Sequence, residues 1–298
     1  MVAPVKEMKW MILGGDGQLG RAMALELSRS GAEFISLNRA QLDITNQNDI
    51  HTWLAKELPD VVLNAAAWTN VDLAETEEEK AQLVNTQGPK LLATACAEIG
   101  AKFIQISTDY VFSGNTTSPW KEGTERSPIS AYGRTKAAGE EFVLDMYPNG
   151  TFIVRTAWLY SPWGKNFVRT MLKIALEEIR NVEVVSEQVG QPTSANDLAV
   201  QINNMINHSA PPGIYHGTNS GQASWFDLAQ RIFTLVGADP NRVIAVDSSH
   251  FPLPAKRPTY SVLGHDHWLD EGLNPMRSWQ DALEHALPAI FQEVKQGE

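Results

Sequence analysis

Cysteine is almost missing from this chain of 298 residues, because Cys96 is the only one. A single cysteine rules out a disulfide within the chain and is typical of proteins in a reducing compartment. Since Cys96 lies in an apolar, alanine-rich run, we predict that it is a small buried side chain.

Long apolar runs are missing as well. No stretch approaches the length that crosses a bilayer, and residues 1–8 have no signal-peptide pattern. Internal repeats and low-complexity segments are also lacking. The sequence therefore predicts a cytoplasmic protein with no membrane partner.

Positive charge is in deficit, since 24 Lys and Arg stand against 35 Asp and Glu, for a net charge of −11. The sequence shows no basic stripe, which argues against a nucleic-acid partner. An anionic small molecule stays compatible with this composition, because local charge decides what a pocket binds.

Short apolar runs near residues 10, 34, 62 and 104 are typical of buried strands, and they alternate with helical patterns. Residues 152–155 add a further strand of the same kind. This alternation predicts an α/β fold, a Rossmann-type doubly wound sheet that is mostly parallel.

The chain is long enough for a second, smaller domain. We expect a dinucleotide-binding domain in residues 1–160 and a smaller α/β substrate-binding domain in residues 161–298. The alternative for residues near 190–216 is that they rejoin the first domain. The second half is irregular and rich in proline, which suits a pocket built from loops.

Glycines at positions 14, 17 and 20 directly follow the first predicted strand and precede a helical pattern at 21–30. Glycines at such a turn let the backbone approach a diphosphate, and the helix N-terminus supplies N–H donors. A plain glycine-rich turn is the alternative, but the position between strand and helix favours a cofactor site.

The second predicted strand ends at Asn38 and Arg39, where folds that bind NAD usually place a carboxylate. No carboxylate is present, and a guanidinium binds phosphate through two parallel hydrogen bonds. We therefore predict that NADPH is preferred and that NADH is still used. The alternative is a solvent-exposed Arg39.

Thr108 and Asp109 follow the strand at 103–106, at the edge where open α/β sheets bind ligands. Ser127 and Pro128 then indicate a helix start, with Ser at the N-cap and Pro at the first helical position.

On that helix Tyr132 and Lys136 are four residues apart and share a face. A lysine ammonium stabilises a phenolate and lowers the tyrosine pKa, so the pair delivers a proton to a carbonyl oxygen. By itself the spacing is also typical of an exposed helix, and the preceding motifs give it weight.

Segments spread over nearly the whole chain carry a family resemblance. They are residues 14–20, 64–72, 107–114, 132–140, 155–160, 164–168, 187–193, 213–216 and 257–261. The chain resembles the extended short-chain dehydrogenase/reductases and, within them, the family of dTDP-4-dehydrorhamnose reductases. The resemblance implies NADPH-dependent reduction of the C4 keto group of dTDP-4-dehydro-L-rhamnose, a nucleotide-sugar substrate, in a monomer or homodimer.

The resemblance also implies roles for single residues. The positions that match the catalytic triad are Thr108, Tyr132 and Lys136. The positions that match cofactor contacts are Gly14, Gly17, Gln18, Leu19, Asp43, Ala65, Ala66 and Lys136, beside Asn38 and Arg39. The positions that match substrate contacts are Asp109, Tyr110, Val111, Trp158, Asn166 and Arg257.

The chain departs from its relatives at a position that bears on metal binding. Some relatives dimerise through a metal held by an acid three residues after Gln-Pro-Thr, and here that residue is Asn196. The sequence His265-Asp266-His267 has no further ligands at metal spacing. We therefore expect no metal site.

Two other functions stay open at this point. An epimerase or dehydratase of the same fold uses NAD and the same Tyr-Lys pair, but it needs a further acid or base, and the segment after Thr108 supplies only Asp109. A non-catalytic dinucleotide-binding subunit, resembling the regulatory subunit of methionine adenosyltransferase, is the other alternative. The intact Thr-Tyr-Lys set argues against it.

Overall fold

The computed structural model describes residues 8–177 and 179–296. A parallel sheet forms its centre, built from strands β1 (Trp10–Leu13), β2 (Phe34–Leu37), β3 (Val61–Asn64), β4 (Lys102–Thr108), β5 (Thr151–Thr156) and β10 (Gly213–His216). The shorter strands are β6 (Leu159–Tyr160), β7 (Val182–Val185), β8 (Val189–Gly190), β9 (Thr193–Ser194), β11 (Ala223–Ser224) and β12 (Val243–Val246).

The helices pack around this sheet and beyond it. They are α1 (Gln18–Ser30), α2 (Gln47–Glu57), α3 (Val71–Ala74), α4 (Glu78–Gln82), α5 (Gly88–Ile99), α6 (Ala131–Met146), α7 (Phe167–Glu177), α8 (Ala195–Asn207), α9 (Trp225–Leu235), α10 (Asp266–Asp270) and α11 (Trp279–Gln296). No helix in the described part of the chain combines the length and apolar composition that crossing a bilayer requires.

The strand order in the central sheet is β10-β5-β4-β3-β1-β2, and every neighbouring pair is parallel. The chain runs outward from β1 to β2 and then crosses back to β3, so the direction of winding reverses between β1 and β3. Such a reversal opens a crevice at the carboxyl ends of the strands. The predicted Rossmann-type doubly wound fold is confirmed.

Both faces of the sheet are apolar, because side chains alternate along each strand. In β1, Trp10 and Ile12 pack in one core with residues of α1 and α8. Met11 and Leu13 point the other way and pack in a second core with residues of α2 and α5. This burial on both faces explains why the strands are almost continuously hydrophobic.

A third core lies outside the sheet. It joins apolar residues of α7, α9 and α11, among them Leu172, Ile232 and Leu283. Strands β7 and β12 pair in parallel at its margin, and Val184 and Val243 belong to the same core. The second half of the chain thus holds a hydrophobic core of its own.

The start of α6 differs from the prediction. Ser130, rather than Ser127, is the N-cap, and its hydroxyl accepts a hydrogen bond from the Gly133 amide at 3.2 Å. The Ser127 amide instead donates to the Val111 carbonyl at 2.8 Å, so tertiary contact holds residues 127–130 outside the helix.

The helical segment from α4 to α5 is interrupted. A π-helical turn, Leu83–Gln87, separates α4 from α5. Pro89 has no N–H to donate to the carbonyl four residues earlier, which breaks the regular ladder at this point.

Candidate active site

A cleft of about 740 Å³ opens at the carboxyl ends of the central strands. The predicted residues that line it are Gly14, Gly17, Gln18, Leu19, Asn38, Arg39, Asp43, Ala65, Ala66, Thr108, Asp109, Tyr110, Tyr132, Lys136 and Trp158. The structure therefore brings the glycine turn, the ends of four parallel strands and one face of α6 to a single cavity.

The glycine turn forms a backbone cradle. Gly14 has φ +78°, and a Cβ atom there would lie 2.7 Å from the Ala66 amide nitrogen. A Cβ atom on Gly20 would lie 2.3 Å from the Gly14 carbonyl oxygen. Only glycine fits at these two positions, which explains why the turn packs so closely against β3.

Helix α1 starts beside this cradle without a side-chain cap. Gly17 is its N-cap, no side-chain cap hydrogen bond is present in the described part of the chain, and the first turn holds no acidic residue. The first amides of a helix carry partial positive charge and unsatisfied donors. The site thus fits the diphosphate of a dinucleotide.

The end of β2 forms the rim of the same cleft. The Asn38 side chain holds the following turn by accepting from the amides of Ala40 and Gln41 at 3.1 and 3.2 Å. The Arg39 side chain is 84% exposed, and its Nε lies 3.7 Å from an Asp43 carboxyl oxygen. Asp43 accepts from the Thr45 amide, which lowers its pKa. Because the Arg39 side chain is exposed and its contact with Asp43 is long, it can turn toward a bound phosphate.

Thr108, Tyr132 and Lys136 meet where β4 ends against α6. Lys136 is buried, and its Nζ donates to the Ile106 carbonyl at 2.6 Å. The Thr108 hydroxyl donates to an Asp109 carboxyl oxygen at 2.9 Å and accepts from the Tyr110 amide at 3.2 Å. Tyr132 lies within hydrogen-bond reach of Thr108.

The protonation of this group differs in one respect from the prediction. Burial raises the pKa of Tyr132 to about 12, and the hydrogen bond with Thr108 acts in the opposite direction. Burial lowers the pKa of Lys136 to about 8, while Glu140 raises it. The predicted lowering of the Tyr132 pKa by Lys136 is not found, because burial of Tyr132 favours its neutral form. A tyrosine that stays protonated at neutral pH suits a proton donor.

Trp158 stands beside this group on a strained backbone. Thr156, two residues earlier, pairs with Thr108 across the sheet, and Trp158 itself has φ +44°. Its indole stacks on Trp225, with ring centroids 3.6 Å apart and an angle of 10° between the planes. A Cβ atom on Gly190 would lie 2.7 Å from the same indole.

Trp225 also lines the cleft and was not predicted as a site residue from the sequence. A capping box between Ser224 and Asp227 starts α9 and places Trp225 at its first position. That capping box is visible in the sequence, but the contact of Trp225 with Trp158, 67 positions earlier, is not.

Three predicted substrate residues lie away from the wall of the cleft. Val111 is fully buried in a small apolar cluster with Phe112. Asn166 donates to the Gln18 side chain at 3.0 Å and caps α7. Arg257 pairs with Asp72 at 2.8 Å.

Possible metal ligands are not grouped in the described residues. No set of three His, Cys, Asp or Glu side chains there has the spacing to hold a metal ion. In the His265–His267 segment, the His265 ring bonds with the Thr218 hydroxyl at 2.8 Å and the His267 ring with the Ile214 carbonyl at 2.7 Å. These rings are engaged in the packing of the loop.

Comparison with known proteins gives a consistent result. The model of the RmlD substrate binding domain family matches residues 8–291. A dTDP-4-keto-6-deoxy-D-glucose reductase of Streptomyces niveus is 44% identical over 283 residues, which is 95% of this chain and 97% of that protein. A dTDP-4-dehydrorhamnose reductase of Streptomyces griseus is 43% identical over 293 residues, 97% of this chain and 96% of that protein.

A solved structure shows the same fold over almost the whole chain. The dTDP-4-dehydrorhamnose reductase of Bacillus anthracis, crystallised in complex with NADP, superposes with a TM-score of 0.91 at 37% identity. The match covers 95% of this chain and 99% of that structure.

Proposed function

Since this chain belongs to the RmlD substrate binding domain family, we propose that it is an NADPH-dependent reductase that converts dTDP-4-dehydro-L-rhamnose to dTDP-L-rhamnose. The observation that carries the proposal is the convergence of Thr108, Tyr132 and Lys136 on the cleft that also holds the glycine turn. The relatives named above for the same reduction, and the NADP complex of one of them, support it.

The chemistry divides between cofactor and protein. NADPH, when bound, supplies the hydride that reduces C4 of the sugar. Tyr132 gives its proton to the C4 oxygen, which develops negative charge as the hydride arrives. Thr108 hydrogen-bonds the same oxygen, and Lys136 stabilises the phenolate that Tyr132 becomes.

The residues fit the cofactor at both ends of the cleft. The glycine turn and the uncapped start of α1 would hold its diphosphate, and Ala65 and Ala66 leave space beside the end of β3. Arg39 would bind the 2′-phosphate, which is why we propose a preference for NADPH over NADH.

We also propose a division of labour between the two halves of the chain. Residues 1–160, with the return near 190–216, would hold the cofactor, because α8 and β10 pack in the same core as β1. The rest of residues 161–298 would bind the sugar nucleotide and has a separate core. The enzyme would work in the cytoplasm, as a monomer or homodimer, and sedimentation of the purified protein decides between these two states.

A second sugar is favoured by one finding. The Streptomyces niveus relative is named for dTDP-4-keto-6-deoxy-D-glucose, which differs from the rhamnose precursor in the configuration of ring carbons. Both sugars carry the C4 ketone that the proposed mechanism needs, so the experiment offers each of them.

The test is to mix purified protein with NADPH and either sugar nucleotide and to follow the loss of NADPH absorbance. We expect NADPH to be consumed faster with dTDP-4-dehydro-L-rhamnose than with the other sugar nucleotide. With the Tyr132→Phe variant, NADPH consumption should be near background. Consumption only with the D-gluco sugar would move the substrate assignment to that compound. No consumption above the sugar-free control would refute the reductase assignment.

A further inference from the structure

Asp109 is a buried carboxyl group at the reacting end of the cleft. It directly follows β4, it is 2% exposed, and it lines the cavity beside Thr108. One of its oxygens, Oδ1, accepts the Thr108 hydroxyl at 2.9 Å. The other, Oδ2, is buried and has no hydrogen-bond partner among the residues that the structure describes. A buried carboxylate oxygen without a partner is costly, so this group is under pressure to become neutral.

Four donors act against burial at Asp109: the Ser261 and Thr108 hydroxyls and the amides of Asp109 and Tyr110 lower its pKa, but burial raises it by more. The hydroxyls of Tyr110 and Tyr132 are neutral, and Ser261 faces the carboxyl without a well-formed bond to Oδ2. No ion pair with Asp109 is found in the part of the chain that the structure describes.

The charged groups near Asp109 are engaged elsewhere. On the C-terminal side, Arg257 is paired with Asp72. On α6, Lys136 donates to the Ile106 carbonyl. In accordance with this setting, burial raises the pKa of Asp109 to about 6.

When Asp109 is ionised, the Thr108 hydroxyl proton points away from the substrate. A threonine hydroxyl has one proton and two lone pairs. A carboxylate only accepts, so the Thr108 proton must point to Asp109. One Thr108 lone pair already accepts from the Tyr110 amide, and the hydroxyl has no second proton to offer. In this arrangement the Thr108 proton is not directed at a substrate oxygen.

The neutral form of Asp109 gives the opposite arrangement. A protonated carboxyl donates to Thr108, so both Thr108 lone pairs are filled, by Asp109 and by the Tyr110 amide. The Thr108 proton is then free for the substrate and is available to the C4 oxygen.

We propose that Asp109 is a positioning residue that, as the neutral acid, donates to Thr108 and so directs the Thr108 proton toward the substrate carbonyl oxygen. The inference rests on the proposed reductase function. Asp109 keeps its own proton throughout: the hydride comes from NADPH to C4, and the proton that the C4 oxygen gains comes from Tyr132.

The test is the pH profile of kcat/KM for the sugar nucleotide at saturating NADPH. Since the protonated form is the active one, kcat/KM should be maximal at low pH and fall about tenfold per pH unit above a midpoint at or above pH 6. In Asp109→Asn the amide donates to Thr108 at every pH. We therefore expect a lower rate, by less than about tenfold, in which this decline is absent.

Two further variants separate this role from others. In Thr108→Ala the rate falls and the same decline should vanish, because Asp109 acts through Thr108. Glu122 is the matched control, since burial also raises the pKa of its carboxyl but it lies outside the cleft. Glu122→Gln should keep the decline of the wild type.

The pH profiles of these variants decide whether Asp109 acts through Thr108. A decline that persists in Asp109→Asn, or its absence from the wild type, overturns the proposal. A decline that persists in Thr108→Ala shows that Asp109 acts directly and also overturns it. If thermal melting shows that Asp109→Asn does not fold, Thr108→Ala decides. Wild-type protein that consumes no NADPH with either sugar at any pH refutes the proposed function, and this inference with it.

Discussion

At the scale of single residues, the chemistry depends on Tyr132. Burial keeps this hydroxyl protonated at neutral pH, and it lies within reach of Thr108 at the end of β4. We expect Tyr132→Phe to lower kcat by about 10²–10⁴-fold, because a positioned proton donor contributes that much, while NADPH affinity stays unchanged. Steady-state turnover assays measure kcat, and a fluorescence titration with NADPH measures the cofactor affinity. A variant with near-normal kcat would remove Tyr132 from the mechanism.

Lys136 should set a second pH limit. Burial lowers its pKa to about 8, and the ammonium form is the one that stabilises the Tyr132 phenolate. Activity that depends on the ammonium is present below this pKa and is lost as pH rises through it. In Asp109→Asn, where the lower decline is removed, kcat should therefore fall through about pH 8.

The control for this second limit is Lys136→Arg in the same background. A guanidinium stays charged, so the variant should be slower, with no fall near pH 8. If the fall near pH 8 remains in the arginine variant, another group is responsible.

Arg39 should decide the choice of cofactor. Its side chain is exposed at the rim of the cleft, and its contact with Asp43 is long, at 3.7 Å. A charge-assisted pair with a 2′-phosphate is worth roughly 1.5–3 kcal/mol, so Arg39→Ala should reduce the NADPH/NADH ratio of kcat/KM by about tenfold to a hundredfold. Arg39→Lys should lose less. Equal use of NADH by the wild type, or a ratio that Arg39→Ala leaves unmoved, would contradict the assignment.

At the scale of elements, two segments of the second half build the wall next to the reacting group. Strand β11 pairs with β8 and leads into α9, which brings Gly190 and Trp225 against the Trp158 indole. The φ of +44° at Trp158 is strained for a bulky residue and persists only where the surroundings enforce it. The stacked Trp225 indole is one of the contacts around Trp158.

Removing this support should weaken sugar binding alone. A stacked aromatic pair is worth about 0.5–1.5 kcal/mol, so Trp225→Ala should raise the KM for the sugar nucleotide roughly two- to tenfold, with the KM for NADPH unchanged. Trp158→Ala should show the same pattern with a larger effect. Trp225→Phe, which keeps a ring, is the matched control. An effect of Trp225→Ala on the KM for NADPH would place this wall on the cofactor side of the cleft.

The elements were predictable where the signal is local. The apolar run of β1 and the glycines of the following turn identify strand, turn and helix without tertiary information. The N-cap of α6 was not predictable, because Ser127 and Ser130 are equally good caps. The hydrogen bond from the Ser127 amide to the Val111 carbonyl decides between them. The π-helical turn follows from Pro89, but only once the helix is known to continue through it.

At the scale of the whole molecule, the doubly wound parallel sheet was predictable from the alternation of strands and helices. The gathering of the catalytic group also followed, since Thr108 and Tyr132 lie at one strand end and one helix start. Contacts between the two halves did not follow. Asn166 bonds with Gln18 across 148 positions, and nothing local in either segment indicates the pair.

This contact has a consequence for the whole molecule. Gln18 belongs to the glycine turn, and it accepts hydrogen bonds from both Ser161 and Asn166 at 3.0 Å. The loop that joins β6 to α7 is thereby tied to the cofactor cradle. Asn166 thus holds the two halves together in the structure, at a position where the family resemblance implied contact with the substrate nucleotide.

In the proposed reaction, hydride passes from NADPH to C4 of the sugar in this cleft. The most direct measurement uses NADPH that carries deuterium at the reactive position of the nicotinamide, with dTDP-4-dehydro-L-rhamnose as substrate. NMR and mass spectrometry of the product should show a single deuterium, located at C4 of dTDP-L-rhamnose. A product without deuterium, or with deuterium at another carbon, would contradict hydride transfer from NADPH to C4.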